Sequence, residues 1–341
     1  MVQLEDDLPL ISVIIPTFNE AGNLPRCLAA ICGQGYPREK VEIIVIDDYS
    51  TDETVAIAER FGARVIFSGF KHIEKSKSLG LAEANGELIL FLDADVFLVG
   101  VDWLAKATQA LVDNPKAVGA QAIYWHYQKN HNIYNRYCEL FGTNDPLVYF
   151  LSQRTILAPA VTEKIYQGAL VRQTANYFLV KFDINNLPTL GSQGCLIRKD
   201  LILSATAWQP YFFHLDSIYE LAEKGYGDFV LMKLAVEHNY INSFWQFHKK
   251  LCRNLVLFLS FRPLRKYTYN LGSARFFVSL FLMVTLIYPF SQSLRGYIKK
   301  PDLAWFWHPV FCLTVPLMYA WIYLKWQINH LLARRTQKYE S

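Results

Sequence analysis

The chain has 341 residues, of which 34 are Lys or Arg and 30 are Asp or Glu, and its formal net charge is +4. This near balance excludes a protein that binds nucleic acid or another polyanion through bulk charge alone. Hydrophobic residues make up 52% of the chain and charged residues only 19%, below the roughly 25% of typical soluble domains, so disordered and fibrous classes are excluded too. The length suggests one large domain or two modest ones.

Strand and helix patterns alternate through the N-terminal part of the chain. The runs ISVIIP, VEIIVID, RVIF and ELILFLD predict strands, and the segments between them predict helices over 23–32, over 51–61 and around 77–85. Strands this apolar need both faces covered, so their alternation with helices predicts an α/β fold with a mainly parallel, doubly wound sheet. In such a sheet a ligand is expected beyond the carboxyl ends of the strands.

Three polar clusters follow the predicted strands at those ends. They comprise Thr17, Phe18, Asn19 and Glu20; Asp47, Asp48, Tyr49 and Ser50; and Asp93, Ala94 and Asp95. Acids that converge on one crevice repel each other, and a divalent cation that bridges a carboxylate to a diphosphate offsets this repulsion. One cluster alone is explained by helix caps and turns, whereas three clusters in register indicate a binding site.

The apolar surplus is concentrated towards the C-terminus. Residues 276–294 and 303–324 contain no Asp, Glu, Lys or Arg, and the second stretch is long enough to cross a bilayer. We expect these two stretches to form a transmembrane hairpin, with a pair of buried core helices as the alternative. The aromatic and basic residues ahead of them predict an amphipathic interfacial segment, for which an ordinary surface helix is the alternative. The predicted division is a catalytic domain over 1–243, the interfacial segment over 244–272, the hairpin over 273–326 and a basic tail over 327–341.

Charge and cysteine usage bear on where the N-terminal domain lies. Positive-inside counting leans towards a cytoplasmic N-terminal domain. The six cysteines have no metal-ligand spacing and are expected to be reduced thiols, which suits a reducing compartment. We therefore expect a multi-pass membrane protein whose N-terminal domain faces the cytoplasm.

The motifs of the N-terminal part resemble those of one known family. SVIIPTFNEAGNLPRCLAAI, VEIIVIDDYSTDET and KSKSLGLAEANGELILFLDADV occur in this order, and the last ends in a D-x-D signature. As a set they resemble glycosyltransferase family 2, whose catalytic domain has the GT-A nucleotide-sugar fold. The resemblance continues at GSQGCLIRKDLI and HLDSIYELAEKGYGDFVLMKLAVEH, so it covers most of residues 8–255.

This resemblance implies roles for residues of a donor site. Asp95 would hold Mg²⁺ or Mn²⁺ on the diphosphate, with His238 nearby, because hard oxygen ligands suit these ions. Asp93 would contact the ribose or the sugar. The resemblance further assigns the nucleoside and ribose to Pro16, Thr17, Asn19 and Glu20, the base, usually uracil, to Asp47 and Asp48, and the diphosphate to Lys75, Lys77 and Arg253.

The resemblance also implies a catalytic base. Its counterpart here is Asp216, because LDSIYELAEKGY reproduces the family's spacing to the pair Gly225 and Tyr226. The acid that usually precedes this Asp is Leu215 in this chain, which leaves Asp228 as the alternative base. A carboxylate placed here would take the proton from the acceptor hydroxyl, and a single displacement would invert the anomeric centre. His214 is expected to pack beside Phe212 and Phe213.

Two further segments depart from the family pattern. The sequence KKLCRN lacks the Gln and Trp of the Q-x-x-R-W element of processive synthases, which argues against a polymerase. Residues 125–190 fit the family poorly. There Tyr134, Tyr137 and Phe141 either stack on a sugar face or simply pack.

Together these observations predict a membrane-anchored, metal-dependent inverting glycosyltransferase. It would move a single sugar from a nucleotide donor, with a UDP-sugar favoured, to a lipid or lipid-linked acceptor. The alternatives are a subunit of a polysaccharide synthase, a non-catalytic membrane protein that binds sugar nucleotides or glycans, and a nucleotidyltransferase of similar topology.

Overall fold

The structure of the chain is a computed structural model that describes residues 8–154, 156–158, 168–191, 193–267 and 274–339. Two compact units make up the chain. The first comprises residues 1–127, 153–157 and 164–240, and the second comprises 128–152, 158–163 and 241–341. The predicted boundary after residue 243 stays a prediction, and residues 268–272 of the predicted interfacial segment lie outside the described residues.

The secondary structure alternates strands and helices in the N-terminal part and is helical in the C-terminal part. The strands are β1 (Ile11–Thr17), β2 (Val41–Asp47), β3 (Arg64–Phe67), β4 (Leu88–Phe91), β5 (Val96–Leu98), β6 (Gly119–Trp125), β7 (Ala169–Gln173), β8 (Tyr177–Lys181), β9 (Cys195–Arg198) and β10 (Asp228–His238). The helices are α1 (Leu24–Cys32), α2 (Thr54–Arg60), α3 (Ile73–Glu83), α4 (Trp103–Val112), α5 (Ile133–Phe141), α6 (Pro146–Phe150), α7 (Lys199–Ser204), α8 (His214–Glu223), α9 (Phe244–Phe261), α10 (Ala274–Val284), α11 (Ile287–Lys299) and α12 (Trp307–Tyr339).

All ten strands form one sheet in the first unit. Its order is β3-β2-β1-β4-β9-β6-β10-β8-β7, and β5 pairs with β10. The predicted parallel arrangement holds for β3, β2, β1 and β4. The rest of the sheet is mixed, because β9 is antiparallel to both β4 and β6, and β5 and β8 are antiparallel to β10. The prediction of a mainly parallel sheet is corrected here, since it used only the strands before residue 93.

The core of the first unit forms around β1, which is covered on both faces. All seven residues of β1 are buried. Helix α1 contributes Leu24, Cys27, Leu28 and Ile31, whose spacing places them on one face. Helix α3 approaches β1 closely at Gly80, where an added Cβ would lie 2.4 Å from Cγ2 of Ile14. A residue larger than Gly at position 80 would push the helix away from the sheet.

The second unit contains α5, α6 and α9 to α12 around an aromatic core. Tyr137 and Phe141 of α5 are fully buried, and both rings contact that of His308. The Tyr137 ring also contacts Phe311, and the Phe141 ring also contacts Trp305. Because these two rings are enclosed by other aromatic side chains, they have no free face for a sugar. The interpretation that Tyr137 and Phe141 simply pack is therefore correct.

One helical stretch of the described residues is long and apolar enough by itself to cross a membrane. It runs from Leu303 to Asn329 and includes most of α12. The predicted first span is not a single helix, because α10 and α11 meet at a bend of 73° after Val284. The two-span hairpin is therefore not confirmed, because the bent pair is either a broken span or a re-entrant loop.

Candidate active site

The carboxyl ends of the strands bring most of the predicted site residues to one edge of the sheet. Strands β1, β2, β4, β6 and β10 run in the same direction, as their pairings require. Thr17 ends β1, Asp47 ends β2, and the Asp93 to Asp95 segment follows β4. His238 is the last residue of β10 and therefore reaches the same edge.

Asp95 and His238 are held together by the pairing of two strands. The short strand β5, which starts directly after Asp95, pairs with the end of β10 so that Val96 lies opposite His238. The backbone N–H of Asn239 donates to the carbonyl oxygen of Asp95 at 2.8 Å. As a result Nε2 of His238 lies 3.4 Å from Oδ1 of Asp95.

Lys77 partly neutralises the acids of this edge. Its ammonium nitrogen lies 3.1 Å from Oδ1 of Asp93, and the lysine side chain is 9% exposed. Burial lowers the pKa of Lys77, but the carboxylates of Asp93, Glu74 and Asp95 outweigh this effect, so the pKa is raised overall. Lys77 is thus a fixed positive charge beside the D-x-D segment.

The crevice nevertheless carries a negative field. Burial raises the pKa of the Cys27 thiol, and the charges of Asp95, Asp93 and Glu20 raise it further. Such a field attracts cations.

The residues present fit a divalent metal ion that is shared with a ligand. Asp95 offers a carboxylate oxygen, and His238 offers a ring nitrogen close to it. Nδ1 of His238 is buried and has no hydrogen-bond partner among the described residues. Within the described part of the chain no group of three or more His, Cys, Asp or Glu is arranged to hold a metal by itself. Mg²⁺-type ions are often held by one or two carboxylates together with substrate phosphates, and this arrangement matches such a site.

The two acids after β2 have different environments. Asp47 is fully buried, and its carboxylate accepts hydrogen bonds from the hydroxyl of Thr17 at 3.0 Å, the hydroxyl of Ser50 at 2.6 Å and the N–H of Ser50 at 2.8 Å. Asp48 is partly exposed and has a long contact of 3.4 Å with the hydroxyl of Ser68. Only Asp48 therefore has a carboxylate with free capacity towards a bound base.

The loops after β1 and β2 are tied to each other. Asn19 has a φ of +55°, and its N–H donates to the hydroxyl of Ser50 at 2.8 Å while its side-chain oxygen accepts from the N–H of Thr51 at 2.8 Å. The N–H of Glu20 donates to the hydroxyl of Thr54 at 2.8 Å. These hydrogen bonds hold the backbone of Asn19 and Glu20 in place at the carboxyl edge of the sheet. Pro16 is buried within β1.

Replacing Asp47 by Ala should therefore destabilise the fold. The change leaves one buried and two partly buried donors without their acceptor. Hydrogen bonds to a charged group contribute about 1.5 to 3 kcal/mol each, and these contributions do not simply add. We expect a lower thermal midpoint for Asp47→Ala and a nearly unchanged one for the matched variant Asp48→Ala. Equal midpoints for both variants would contradict the structural role of Asp47.

The predicted diphosphate ligand Lys75 lies near two aromatic rings. The ammonium nitrogen of Lys75 lies 5.0 Å from the ring centre of Tyr211 and 5.6 Å from that of Phe70, which are cation–π distances. Arg253 lies on α9 of the second unit. Its assignment to the diphosphate stays a prediction.

The predicted base lies in the first turn of α8. Asp216 is fully buried there, and its helix packs against Gly191, where an added Cβ would lie 2.7 Å from Cδ1 of Ile218 and 3.3 Å from Cβ of His214. The alternative base, Asp228, is the first residue of the 11-residue strand β10. At about 3.3 Å per residue it lies about 30 Å along the strand from His238, at the opposite edge of the sheet.

Sequence reasoning missed the groups that fix the end of β10. Arg26 of α1 forms a paired contact with the buried Glu237, in which Nη2 donates to Oε2 at 2.6 Å. The side-chain amide of Asn239 donates to Oδ1 of Asn23 at 2.9 Å. Both contacts join residues more than 200 positions apart, so no local pattern signals them.

The comparison with known protein families agrees with the observed fold. Residues 12–178 match the family described as Glycosyl transferase family 2. This matched stretch belongs to the family, which confirms the recognition made from its motifs. Asp216 and His238 lie beyond the matched residues.

Several known proteins resemble part of the chain. Glycosyltransferase AglE of Haloferax volcanii is 36% identical over 94 residues, which cover 26% of this chain and 31% of AglE. A Methanococcus voltae protein, named dolichyl N-acetyl-alpha-D-glucosaminyl phosphate 3-beta-D-2,3-diacetamido-2,3-dideoxy-beta-D-glucuronosyltransferase, is 34% identical over 94 residues, or 26% of this chain and 29% of that protein. The chain thus matches less than a third of the length of either relative.

A solved structure resembles the chain over most of its length. It is the mannosyltransferase PcManGT from Pyrobaculum calidifontis, in complex with GDP-Man and Mn²⁺, with a TM-score of 0.52. The similarity covers 93% of this chain and 88% of PcManGT at 16% sequence identity. It supports the shared α/β fold.

Proposed function

We propose that this protein is a membrane-associated, divalent-metal-dependent inverting glycosyltransferase. It transfers one sugar from a nucleotide donor, with UDP-sugars favoured, to a lipid or lipid-linked acceptor, and its catalytic unit faces the cytoplasm. Residues 12–178 belong to a glycosyltransferase family, and this membership is the main support for the reaction class.

The observation that carries the proposal is the Asp95 and His238 pair at the carboxyl edge of the sheet. Their 3.4 Å separation lets both reach one ion, and Lys77 holds a second positive charge beside Asp93. The ion and the Lys77 ammonium group would together bind the negative charge of a nucleoside diphosphate. Asp48, with its free carboxylate, lies at the end of the neighbouring strand β2 and is suited to read the base.

At the donor side, the chain binds and orients the nucleotide sugar. Asp48 accepts hydrogen bonds from the base, while Lys77 is positioned near the diphosphate and remains protonated because its pKa is raised. Mg²⁺ or Mn²⁺, when held by Asp95 with His238 beside it, stabilises the charge that develops on the departing nucleoside diphosphate. Pro16, Thr17, Asn19 and Glu20 shape the nucleoside side of the crevice.

At the acceptor side, Asp216 takes the proton from the attacking hydroxyl. The oxygen forms a bond to the anomeric carbon as the bond from that carbon to the diphosphate oxygen breaks, so the anomeric centre inverts. Because Asp216 is fully buried, this role requires the packing around the first turn of α8 to open when the acceptor binds.

Two observations support a lipid-linked acceptor. The stretch from Leu303 to Asn329 is long and apolar enough to cross a membrane. The Methanococcus voltae relative is named for a dolichyl-linked sugar phosphate. A site on a membrane-associated chain would meet such acceptors at the bilayer surface.

The test of the donor class is a thermal-shift series on the detergent-purified chain. UDP, GDP, CDP and ADP are each added with and without Mn²⁺. A ligand at 100 times its dissociation constant stabilises the folded state by about 2.7 kcal/mol, which is readily measured. We expect a shift that is largest for UDP and that depends on the metal.

Other outcomes of this series would change the proposal. A metal-dependent shift with another nucleotide would keep the enzyme class and replace the donor. The absence of a shift with every nucleotide would contradict a working donor site and would favour a binding protein for another ligand.

A further inference from the structure

Helices α10 and α11 are joined by a sharp break. Their axes are bent by 73° relative to each other. Leu286 at the break has a φ of +61°, a left-handed conformation that is unfavourable for a residue with a Cβ. The 11 residues of α10 are about 16 Å long at 1.5 Å per residue, roughly half of a 30 Å hydrocarbon core. Neither helix can cross a bilayer by itself.

One face of α11 is fixed against its own unit. Pro289, Ser293 and Gly296 are buried and lie on one side of the helix. The hydroxyl of Ser293 donates to the carbonyl oxygen of Trp305 at 2.7 Å. An added Cβ at Gly296 would lie 2.5 Å from the ring of Trp305. Only a glycine therefore allows the helix to come this close to the ring.

The opposite face of α11 is apolar and exposed. Its side chains follow one another at intervals of three or four positions, as residues on a single helical face do. They are Ile287, Phe290, Leu294 and Ile298, with exposures of 81%, 53%, 45% and 73%. On α10, Phe277 and Phe281 are exposed by 61% and 66%. A continuous set of large apolar side chains is thus presented outwards by both helices.

The charge around this face has one sign. Residues 274–301 contain no Asp or Glu, whereas Arg295 and Lys299 lie on α11 and Lys300 follows it. A helix with an apolar face and flanking basic residues binds in the interface plane of a bilayer and is attracted to anionic lipids. The surface therefore complements anionic phospholipid headgroups in both its polarity and its charge.

We propose that α10 and α11 form a re-entrant element in one leaflet of an anionic membrane. Helix α10 enters the leaflet, the break at Leu286 turns the chain, and α11 lies among the headgroups with its Ile287 to Ile298 face towards the acyl chains. Both ends of the element then lie on the same side of the membrane. The inference rests on the membrane association in the proposed function and adds the topology and the lipid class.

The first experiment measures the sidedness of the two ends. Single cysteines are introduced as Ala274→Cys or Lys299→Cys in a full-length chain that also carries Cys32→Ser and Cys252→Ser, since the other four cysteines are buried. Sealed membrane vesicles are treated with a membrane-impermeant thiol reagent before and after permeabilisation. We expect both positions to react from the same side, and labelling from opposite sides would overturn the proposal in favour of a broken span.

The second experiment measures depth and lipid class. A fluorophore on Ile298→Cys is quenched by lipids that carry a nitroxide either near the headgroup or near the acyl-chain end, in phosphatidylcholine vesicles with and without phosphatidylglycerol. Headgroup-level quenching should dominate, and it should weaken in Arg295→Gln/Lys299→Gln only where phosphatidylglycerol is present. Equal quenching in both vesicle types would refute the anionic-lipid preference, and no quenching would indicate a protein partner instead.

A control separates this inference from the proposed function. The nucleotide thermal shift of each labelled chain is recorded in detergent, where no leaflet exists. An intact shift with opposite-side labelling would overturn the re-entrant element alone. A lost shift in the unlabelled parent chain would instead count against the donor site.

Discussion

Replacement of Asp216 by Asn is expected to slow turnover by at least about 10²-fold while donor binding stays intact, because a positioned general base contributes typically 10²- to 10⁴-fold. The amide has nearly the same shape as the carboxylate but does not accept the proton of the acceptor hydroxyl. The measurement combines sugar transfer at saturating donor with the nucleotide-dependent thermal shift, which also establishes that the variant is folded.

Asp228→Asn is the matched control for this experiment. The sequence left Asp228 as the alternative catalytic base, but Asp228 is the first residue of β10 and lies at the edge of the sheet opposite to His238. Turnover of this variant should remain within a few-fold of the parent. Near-normal turnover of Asp216→Asn would remove Asp216 from the reaction, and a large loss in Asp228→Asn would contradict the choice between the two acids.

Replacement of Asp95 by Asn is expected to abolish the metal-dependent part of donor binding. The change removes the charged oxygen ligand nearest to His238 and leaves the side-chain size unchanged, so the ion loses its anchor on the protein. Isothermal titration with the preferred nucleotide, with and without Mn²⁺, measures this loss directly. Turnover should fall with it, since the leaving diphosphate loses its counter-charge.

Asp102→Asn serves as the control for Asp95→Asn. Asp102 is an exposed acid that pairs with Lys106, so its neutralisation changes the net charge equally without touching the crevice. Unchanged metal dependence in Asp95→Asn would exclude Asp95 from the metal site. Equal losses in both variants would point to a general charge effect instead.

Much of the donor edge was predictable because its signals are local. The runs ISVIIP and VEIIVID became β1 and β2 within one residue, and the acids that follow them end at one edge because parallel strands must. The different roles of Asp47 and Asp48 were not predictable. Adjacent carboxylates look alike in a sequence, and only the hydroxyls of Thr17 and Ser50 show that Asp47 is fully engaged.

The C-terminal part illustrates the opposite case. The length and composition of 276–294 were marginal for a membrane span, and composition does not show where a helix bends. The structure shows the break at Leu286 together with the packing of α11 against Trp305, a contact outside the stretch itself. A count of apolar residues could not distinguish a straight helix from two short ones.

The sequence by itself determined the α/β class, the family resemblance, the positions of the first four strands along the chain and the acids that follow β1, β2 and β4, because short-range periodicity and motif order encode these features. The tertiary structure alone decided that the sheet is mixed, that Asp228 lies at the opposite edge and that the first apolar stretch is bent. Each of these depends on contacts between residues far apart in the chain. Such contacts are selected by the packing of the whole unit, and no local pattern contains them.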